Sequence, residues 1–564
     1  MLRDHQQGRR RYALAGLALT AVLAFGGVVS TAAQQATPAA TPAVEAPATP
    51  VAETPVTPAP TSIPSGPLMS MIPVSHGVAS GDVTATSVVV WSRAGRGPAT
   101  MHVEYGTDPT VAGSRRAETA AGAVTETTDY AATVKLDGLT PDTRYSYRVW
   151  FTGDGEDATQ APQDAVFGTF RTAPDAGTSR PLSFIVGGDL AGQQYCRRPD
   201  DGYHIFREME VLGPDFFVAN GDLIYADGAC PIDGPVVGFS GWENIPGDFP
   251  SIANPAMDWT DAAAVKAVYD RHWAYNRADP YYQSFLASTP QYVQWDDHEV
   301  INDFGAPWET QNPGNADRAG YQNLVQAGRE SLFSWNPMDR HPDEPNRIYR
   351  SYRWGAEADL FILDQRSYRS PNSLPDTPEN TKSMLGAAQL DWLKQGLLTS
   401  TATWKIVSAD VPISIPTGSN AVEFGRDGWA SGTDPDFSSQ TGFEREFLDL
   451  LRFIDDNDLQ NVVFVVCDVH FAMNIGYEVD ANGDGDAVVF HEFVNGPLNA
   501  VAVPPPGLDP TFNPTILYQE GDLFNFGYVR IEPAADGTYH LTADVRGEDG
   551  LPRPGSTVEL APAG

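Results

Sequence analysis

The sequence predicts an α/β fold preceded by a small all-β domain, and two observations carry that reading. Between about residues 73 and 174, short stretches alternate apolar and polar residues between Gly, Asp and Pro turns, the period of half-buried strands. Beyond residue 180, short apolar runs alternate with helix-periodic segments, as in βαβ units and mixed or parallel sheets.

Residues 1–33 come first, with GRRRYALAGLALTAVLAFGGVVSTAAQQA spanning most of them and running just past their end. A basic start, an apolar run and small residues around Thr31 to Ala33 read as an export signal. Arg9 and Arg10, followed by Arg11-Tyr12-Ala13-Leu14, resemble a twin-arginine signal, which carries proteins already folded. Residues 34–67 are a Pro/Ala/Thr-rich linker with no core-forming period. The expectation is a secreted or envelope-associated protein with no transmembrane span once the signal is cleaved, since no later stretch is long and apolar enough.

Residues 68–174 follow as a β-sandwich. TSVVVWSRA, MHVEYGT, YAATVKLDGL and RYSYRVWF are its strands, and LTPDTRYSYRV, with Leu139, Pro141 and Tyr145, resembles the tyrosine corner of fibronectin-type sandwiches. Residues 180–564 form the α/β domain. LSFIVGG, helical GYHIFREMEVLG and DFFVANG make a βαβ unit. YVQW, ADLFILD, WKIVSAD and VVFVVC are further strands, between helical stretches such as KAVYDRHWAYN and AAQLDWLKQGLL. FGYVRIEP and GTYHLTADVR return to β, and the long insertions at 235–290 and 305–350 are expected to wall a site.

With 564 residues, 41% of them hydrophobic and 10% aromatic, the chain can bury large cores and is not a disordered protein. Its formal charge of −37 argues against nucleic-acid binding and against a basic membrane-surface role. Three cysteines fit an oxidising compartment without making a disulfide scaffold: Cys196 and Cys230 are placed to pair, and Cys467 reads as a small buried strand residue. The DANGDGDA run at 480–487 lacks the downstream Glu of an EF-hand and reads as a polar hairpin turn.

The chemistry gathers at strand ends. LSFIVGG leads to Asp189, DFFVANG to Gly221-Asp222-Leu223-Ile224-Tyr225, YVQW to Asp296-Asp297-His298, and VVFVVC to Asp468-Val469-His470. Any one of these aspartates reads more readily as a turn or cap. Four strands delivering carboxylate or imidazole at the carboxyl edge of an α/β sheet, where ligands bind, read as a metal site. Hard oxygen donors with one or two histidines suit iron(III), calcium or manganese better than zinc.

The segments SHGVASGDVTATSVVVWSRA, GDLIY, WDDHEVIND, LDQRSYR and CDVH resemble those of the alkaline phosphatase D (PhoD-like) family among calcineurin-type metallophosphoesterases, akin to purple acid phosphatases. The resemblance implies a four-layer sandwich of two mixed sheets flanked by helices. It implies Asp189 and Asp222 on one metal, Asp222 bridging to a second, and Tyr225 ligating the first as phenolate, which favours Fe(3+), accompanied by Ca(2+), with Mn(2+) or Zn(2+) as other candidates. Asp297 and Asp468 would hold the second metal and His470 the first. His298 would contact phosphoryl oxygens or protonate the leaving group, and Arg366 would reach substrate phosphate. Asp189 stands where well-known members carry Cys.

The implied activity is hydrolysis of phosphomonoesters and phosphodiesters by metal-activated hydroxide at a dinuclear or multinuclear site. Its substrates would be small phosphate esters or phospholipid and cell-wall phosphodiesters, handled by a monomer. The alternatives are a phospholipase D-type diesterase acting on lipid head groups and a non-catalytic exported binding protein on the same fold.

Overall fold

Three sheets organise the chain in the computed structural model, which describes residues 72–153, 155–234, 242–305, 318–417, 427–430 and 442–563. The expected signal at 1–33 and the linker at 34–67 lie outside those residues. The first sheet has nine strands, in the order Val558–Leu560, Tyr539–Gly547, Asn525–Pro533, Leu182–Gly187, Phe216–Asn220, Gln291–Gln294, Val74–Gly81, Ser87–Ala94 and Ala131–Asp137. The second has seven, in the order Arg350–Trp354, Ala358–Ile362, Trp404–Ser408, Val462–Val466, Val488–Val494, Ala472–Val479 and Pro514–Glu520. The third has four: Arg115–Glu118, Thr100–Gly106, Arg144–Thr152 and Val166–Arg171.

Strand alternation builds the layers. Successive side chains point to opposite faces, so Phe216 and Val218 enter the core between the two large sheets, where Leu360, Ile406 and Val463 meet them. Phe217 and Ala219, one residue out of step, face Phe206, Tyr269 and Phe285 of the helices Ile205–Leu212, Ala262–Arg277 and Pro280–Ser288. The far face of the second sheet packs Phe361, Val407 and Phe464 on Leu393 and Phe447 of the helices Gly386–Thr399 and Glu444–Asp456. The result is helix, sheet, sheet, helix. Strands buried on both faces have no polar side to show, which is why DFFVANG and VVFVVC read as unbroken apolar runs.

The amino-terminal strands divide between two sheets. Thr100–Gly106, Arg144–Thr152 and their neighbours make the four-stranded sheet, and the Tyr145 hydroxyl accepts the Thr140 N–H at 2.9 Å, the tyrosine-corner bond. Val74–Gly81, Ser87–Ala94 and Ala131–Asp137 instead extend the large sheet, joined to it where Gly81 pairs in parallel with Gln291. The 480–487 run is the loop of the hairpin between Ala472–Val479 and Val488–Val494. Among the described residues no helix is long and apolar enough to cross a membrane.

Candidate metal centre

Four strand ends from two sheets converge. Asp189 follows Leu182–Gly187, Asp222 follows Phe216–Asn220, Asp297 follows Gln291–Gln294, and Asp468 and His470 follow Val462–Val466. Tight turns make the convergence possible. Asp189, Asp222, Asp468 and His470 all have left-handed backbone, with φ of 58°, 51°, 74° and 64°. Such values are uncommon outside glycine and cluster at functional sites. Glycines make room beside them. A Cβ on Gly221 would stand 2.5 Å from Cβ of Asp296, and one on Gly496 would stand 2.2 Å from Oδ2 of Asp189. Glu299 holds the turns together, accepting the N–H groups of Asp222 at 3.0 Å, Leu223 at 2.7 Å and Asp296 at 2.8 Å.

Three sets of carboxylate and imidazole donors have ligand atoms within 4.8 Å of one another along this rim: Asp189, Asp222 and His470; Asp222, Asp297 and His298; and Asp296, Asp297 and Asp468. Asp222 belongs to the first two and Asp297 to the last two, as a bridge between ions would. Asp297, Asp303 and Asp427 form a fourth set. Neither carboxylate oxygen of Asp189 has a hydrogen-bond partner among the described residues, nor has Oδ1 of Asp297, although both residues are buried. Buried polar atoms are normally paired, and an unpaired buried carboxylate is costly. The residues therefore fit cations. Burial and the neighbouring charges of Asp296 and Asp297 push the Asp189 carboxyl well above its usual range. Burial pushes Asp222 up in the same way, with Asp297 adding to it, and brings Asp297 to about 6. A bound cation reverses that preference.

The histidines are set in opposite ways. Nδ1 of His470 donates to the Val501 carbonyl at 2.5 Å, leaving Nε2 as the acceptor; it lies 2.8 Å from the Tyr225 hydroxyl and 3.8 Å from Oδ1 of Asp189. That is the tautomer of a metal ligand, and burial lowers its pKa to about 4. His298 is buried too, which opposes its charge, yet Asp227, Asp222 and Asp297 outweigh that and hold it protonated well above the usual histidine range. Its Nδ1 is 2.6 Å from Oδ1 of Asp227, and its Nε2 lies 4.0 Å from Asp222 and 3.9 Å from Asp297. Asp227 also accepts the Asn302 N–H at 3.0 Å.

Arg366 is placed differently from the sequence expectation of a phosphate contact. It is fully buried and lies under the rim, not along the cavity lining. Its guanidinium reaches Asp296 at 2.5 Å, Asp427 at 2.6 Å and Asp468 at 3.4 Å, with Asp410 at 3.7 Å and Asp297 at 3.8 Å. Five carboxylates occupy its donors, so it acts on the site through them. Arg369 pairs with Asp427 at 3.1 Å, and Asp364 accepts the Trp295 indole N–H at 2.9 Å. Cys196 and Cys230 form a disulfide beneath Phe249, tying the chain after Asp189 to the chain after Asp227. Cys467 is a buried free thiol of the inter-sheet core.

Sequence reasoning missed Asp227, Glu299 and Asp303. Asp227 had a signal, being two residues beyond Tyr225 in the same strand-end segment; Glu299 stood beside His298 in the quoted run. Asp303 closes the WDDHEVIND segment, but only the fold turns it back to Asp297, whose carboxylate accepts its N–H. A cavity of about 310 Å³ opens over the rim, and its lining includes Asp222, Asp297, His298, Asp303, Asp468 and His470.

The family model described as PhoD-like phosphatase matches residues 184–538, and that of the PhoD-like phosphatase N-terminal domain matches residues 63–174. Alkaline phosphatase D of Bacillus subtilis (strain 168) is 25% identical over 459 residues, covering 76% of this chain and 70% of that protein. Among solved structures, PhoD superimposes with a TM-score of 0.66 at 21% identity, over 88% of this chain and 90% of that one. Purple acid phosphatase PPD1 from yellow lupin seeds gives 0.53 at 14% identity, over 87% of this chain and 74% of that one. These likenesses carry the metallophosphoesterase fold.

Proposed function

The chain belongs to the PhoD-like phosphatase family, a metal-dependent phosphoesterase family, and from that membership and the rim geometry we propose an exported hydrolase of phosphomonoesters and phosphodiesters with at least two ions in its site. The observation that carries this is the set of unpaired, buried carboxylate oxygens of Asp189 and Asp297, converging with Asp222 and His470. In this reading Asp189, Asp222, Tyr225 and His470 hold one ion, and Asp222, Asp297 and Asp468 hold the second, with Asp222 shared. When bound, two such ions would supply an acidified water as nucleophile and counter-charge for the phosphoryl group. Tyr225 as phenolate favours iron(III) in the first position, and the oxygen-rich second position suits calcium or manganese.

The chain's own groups do the rest. The Asp227 carboxylate fixes the His298 ring through Nδ1 and favours its charged form, so Nε2 carries a proton towards the cavity. A leaving-group oxygen there takes that proton as its bond to phosphorus breaks. Arg366 keeps Asp296, Asp427 and Asp468 in place without meeting substrate. The twin-arginine-like start and the disulfide are in keeping with export as a folded protein.

Phosphate release from a monoester and alcohol release from a diester, assayed on wild type and His298→Ala with metal content measured on both, test the reading. The variant is expected to keep its metals while turnover falls about 10²–10⁴-fold, the usual worth of a positioned proton donor. A metal-free His298→Ala protein would make His298 a ligand instead.

A further inference from the structure

Tyr225 and His470, both assigned above to the first ion, are joined to one short loop by a closed ring of contacts. The Tyr225 hydroxyl lies 2.8 Å from Nε2 of His470. His470 Nδ1 donates to the Val501 carbonyl at 2.5 Å, and the Val501 N–H donates to Oε1 of Gln193 at 3.3 Å. Next to Gln193, Gly192 lies against the Tyr225 ring. A Cβ on Gly192 would stand 2.5 Å from Cε2 and Cζ of that ring, well inside the roughly 3.5–4.0 Å of carbon contact. The ring thus runs from Gly192 through Tyr225, His470, Val501 and Gln193 back to its start.

The loop that completes the ring is itself fixed and locally strained. Ala191, Gln193 and Gln194 have left-handed backbone, with φ of 60°, 55° and 73°, a conformation that clusters at functional sites. Asn499 clasps the loop from outside: its carbonyl accepts the Ala191 N–H at 2.9 Å, and its buried side-chain amide donates to the Tyr195 carbonyl at 3.2 Å. The disulfide of Cys196 with Cys230 anchors the far end. Gln193 is exposed, and the one hydrogen bond of its side chain among the described residues is that to Val501. Its side chain therefore contributes little to the core and much to the ring.

We propose that Gly192 and Gln193 are positioning residues for the first ion. The glycine leaves room for the Tyr225 ring, and the glutamine, through Val501, holds His470 with Nε2 free for the ion. The proposal rests on the metal assignment above. Groups behind a ligand fix its orientation and its tautomer, and here one loop does so for two ligands while carrying a third, Asp189, on the same stretch of chain. Asp297 and Asp468 take no part in the ring, so the effect falls on the first ion and spares the second.

The test uses the full chain, stripped with a chelator and reloaded with Fe(III) and Ca(II), with the affinity for each ion and the visible band measured together. Gln193→Ala, at an exposed position, is expected to weaken Fe(III) binding about tenfold to a hundredfold, the usual worth of a group behind a ligand, and to shift the phenolate band. Ca(II) binding and the urea midpoint of the stripped protein should stay at their wild-type values. Gln193→Glu keeps an acceptor for the Val501 N–H and should restore both iron affinity and band. Gly192→Ala presses directly on the Tyr225 ring, at a position whose φ lies outside the left-handed region, and should disturb the band more. Unchanged iron affinity and band in both alanine variants overturn the positioning role while leaving the metal site. A loss that falls equally on both ions and on the stripped midpoint makes the loop merely structural and also overturns it. Folded wild type that takes up no iron overturns the assignment of Tyr225 to the first ion, and the role with it.

Discussion

Two acidic clusters sit side by side on the same rim, and they manage their charge in opposite ways. Asp296, Asp427 and Asp468 surround the buried guanidinium of Arg366, which lies within 3.4 Å of a carboxylate oxygen of each. No Lys or Arg among the described residues pairs with Asp189, Asp222 or His470; the His298 ring faces Asp222 at 4.0 Å, and neither oxygen of Asp189 has a hydrogen-bond partner among the described residues. The first cluster has the chain's own positive charge at its centre, although Asp468 at its edge also belongs to the candidate donor set with Asp296 and Asp297. In the proposed reading the second takes an imported cation. Counting carboxylates does not separate a structural ion-pair network from a metal site; the presence or absence of an internal counter-charge does.

The largest effect should come from removing the shared ligand. Asp222→Ala is expected to lose metal and to lower turnover by roughly a thousandfold or more, since metal assistance supplies several kcal/mol of transition-state stabilisation. The comparison makes a sharper demand on the milder Asp222→Asn. After chelation this variant should be at least as stable as wild type, because it deletes a charge that burial and the neighbouring Asp297 disfavour; urea midpoints of both stripped proteins check this. Arg366→Leu should behave in the reverse way. It leaves carboxylates buried around a missing cation and should cost about 3–5 kcal/mol, whether or not metal is present. A metal-dependent loss of stability in Arg366→Leu would merge the two clusters into one.

A smaller effect concerns pH. Burial raises Asp297 to about 6 and Glu299 to about 7 in the folded protein. The stripped folded state therefore keeps protons that the unfolded chain has already released, and its stability falls as pH rises from about 4 to about 7, by on the order of 5 kcal/mol. Metal-loaded protein should show a flatter profile over the same range, because cations replace those protons. Thermal midpoints with and without chelator across that range measure the difference.

Much of this was legible in the sequence because apolar period and terminal residue type are local. Asp189, Asp222, Asp297 and Asp468 follow runs whose pattern marks them as strands, and open α/β sheets place such residues at one edge. Tyr145 declared its turn by its spacing from Leu139 and Pro141. What was not legible depends on direction and partner. LDQRSYR shows that Arg366 is basic and near a strand end, but not that its guanidinium turns inwards to carboxylates distant in sequence. Likewise, alternation in SVVVWSRA identifies a strand without identifying its neighbour, so the continuation of the amino-terminal strands into the large sheet appears only where Gly81 meets Gln291. Asp303, the last residue of WDDHEVIND, shows its acidity there but not that its N–H meets the Asp297 carboxylate.

The most direct test of the cluster of Asp189, Asp222 and His470 is elemental analysis of the protein, purified without chelators, with a visible spectrum taken on the same sample. The expected result is at least two metal ions per chain, with iron accompanied by a broad visible band from Tyr225 as its phenolate ligand. Protein that is folded yet holds no stoichiometric metal would contradict the account, and would return Asp189, Asp222 and His470 to the role of turn residues.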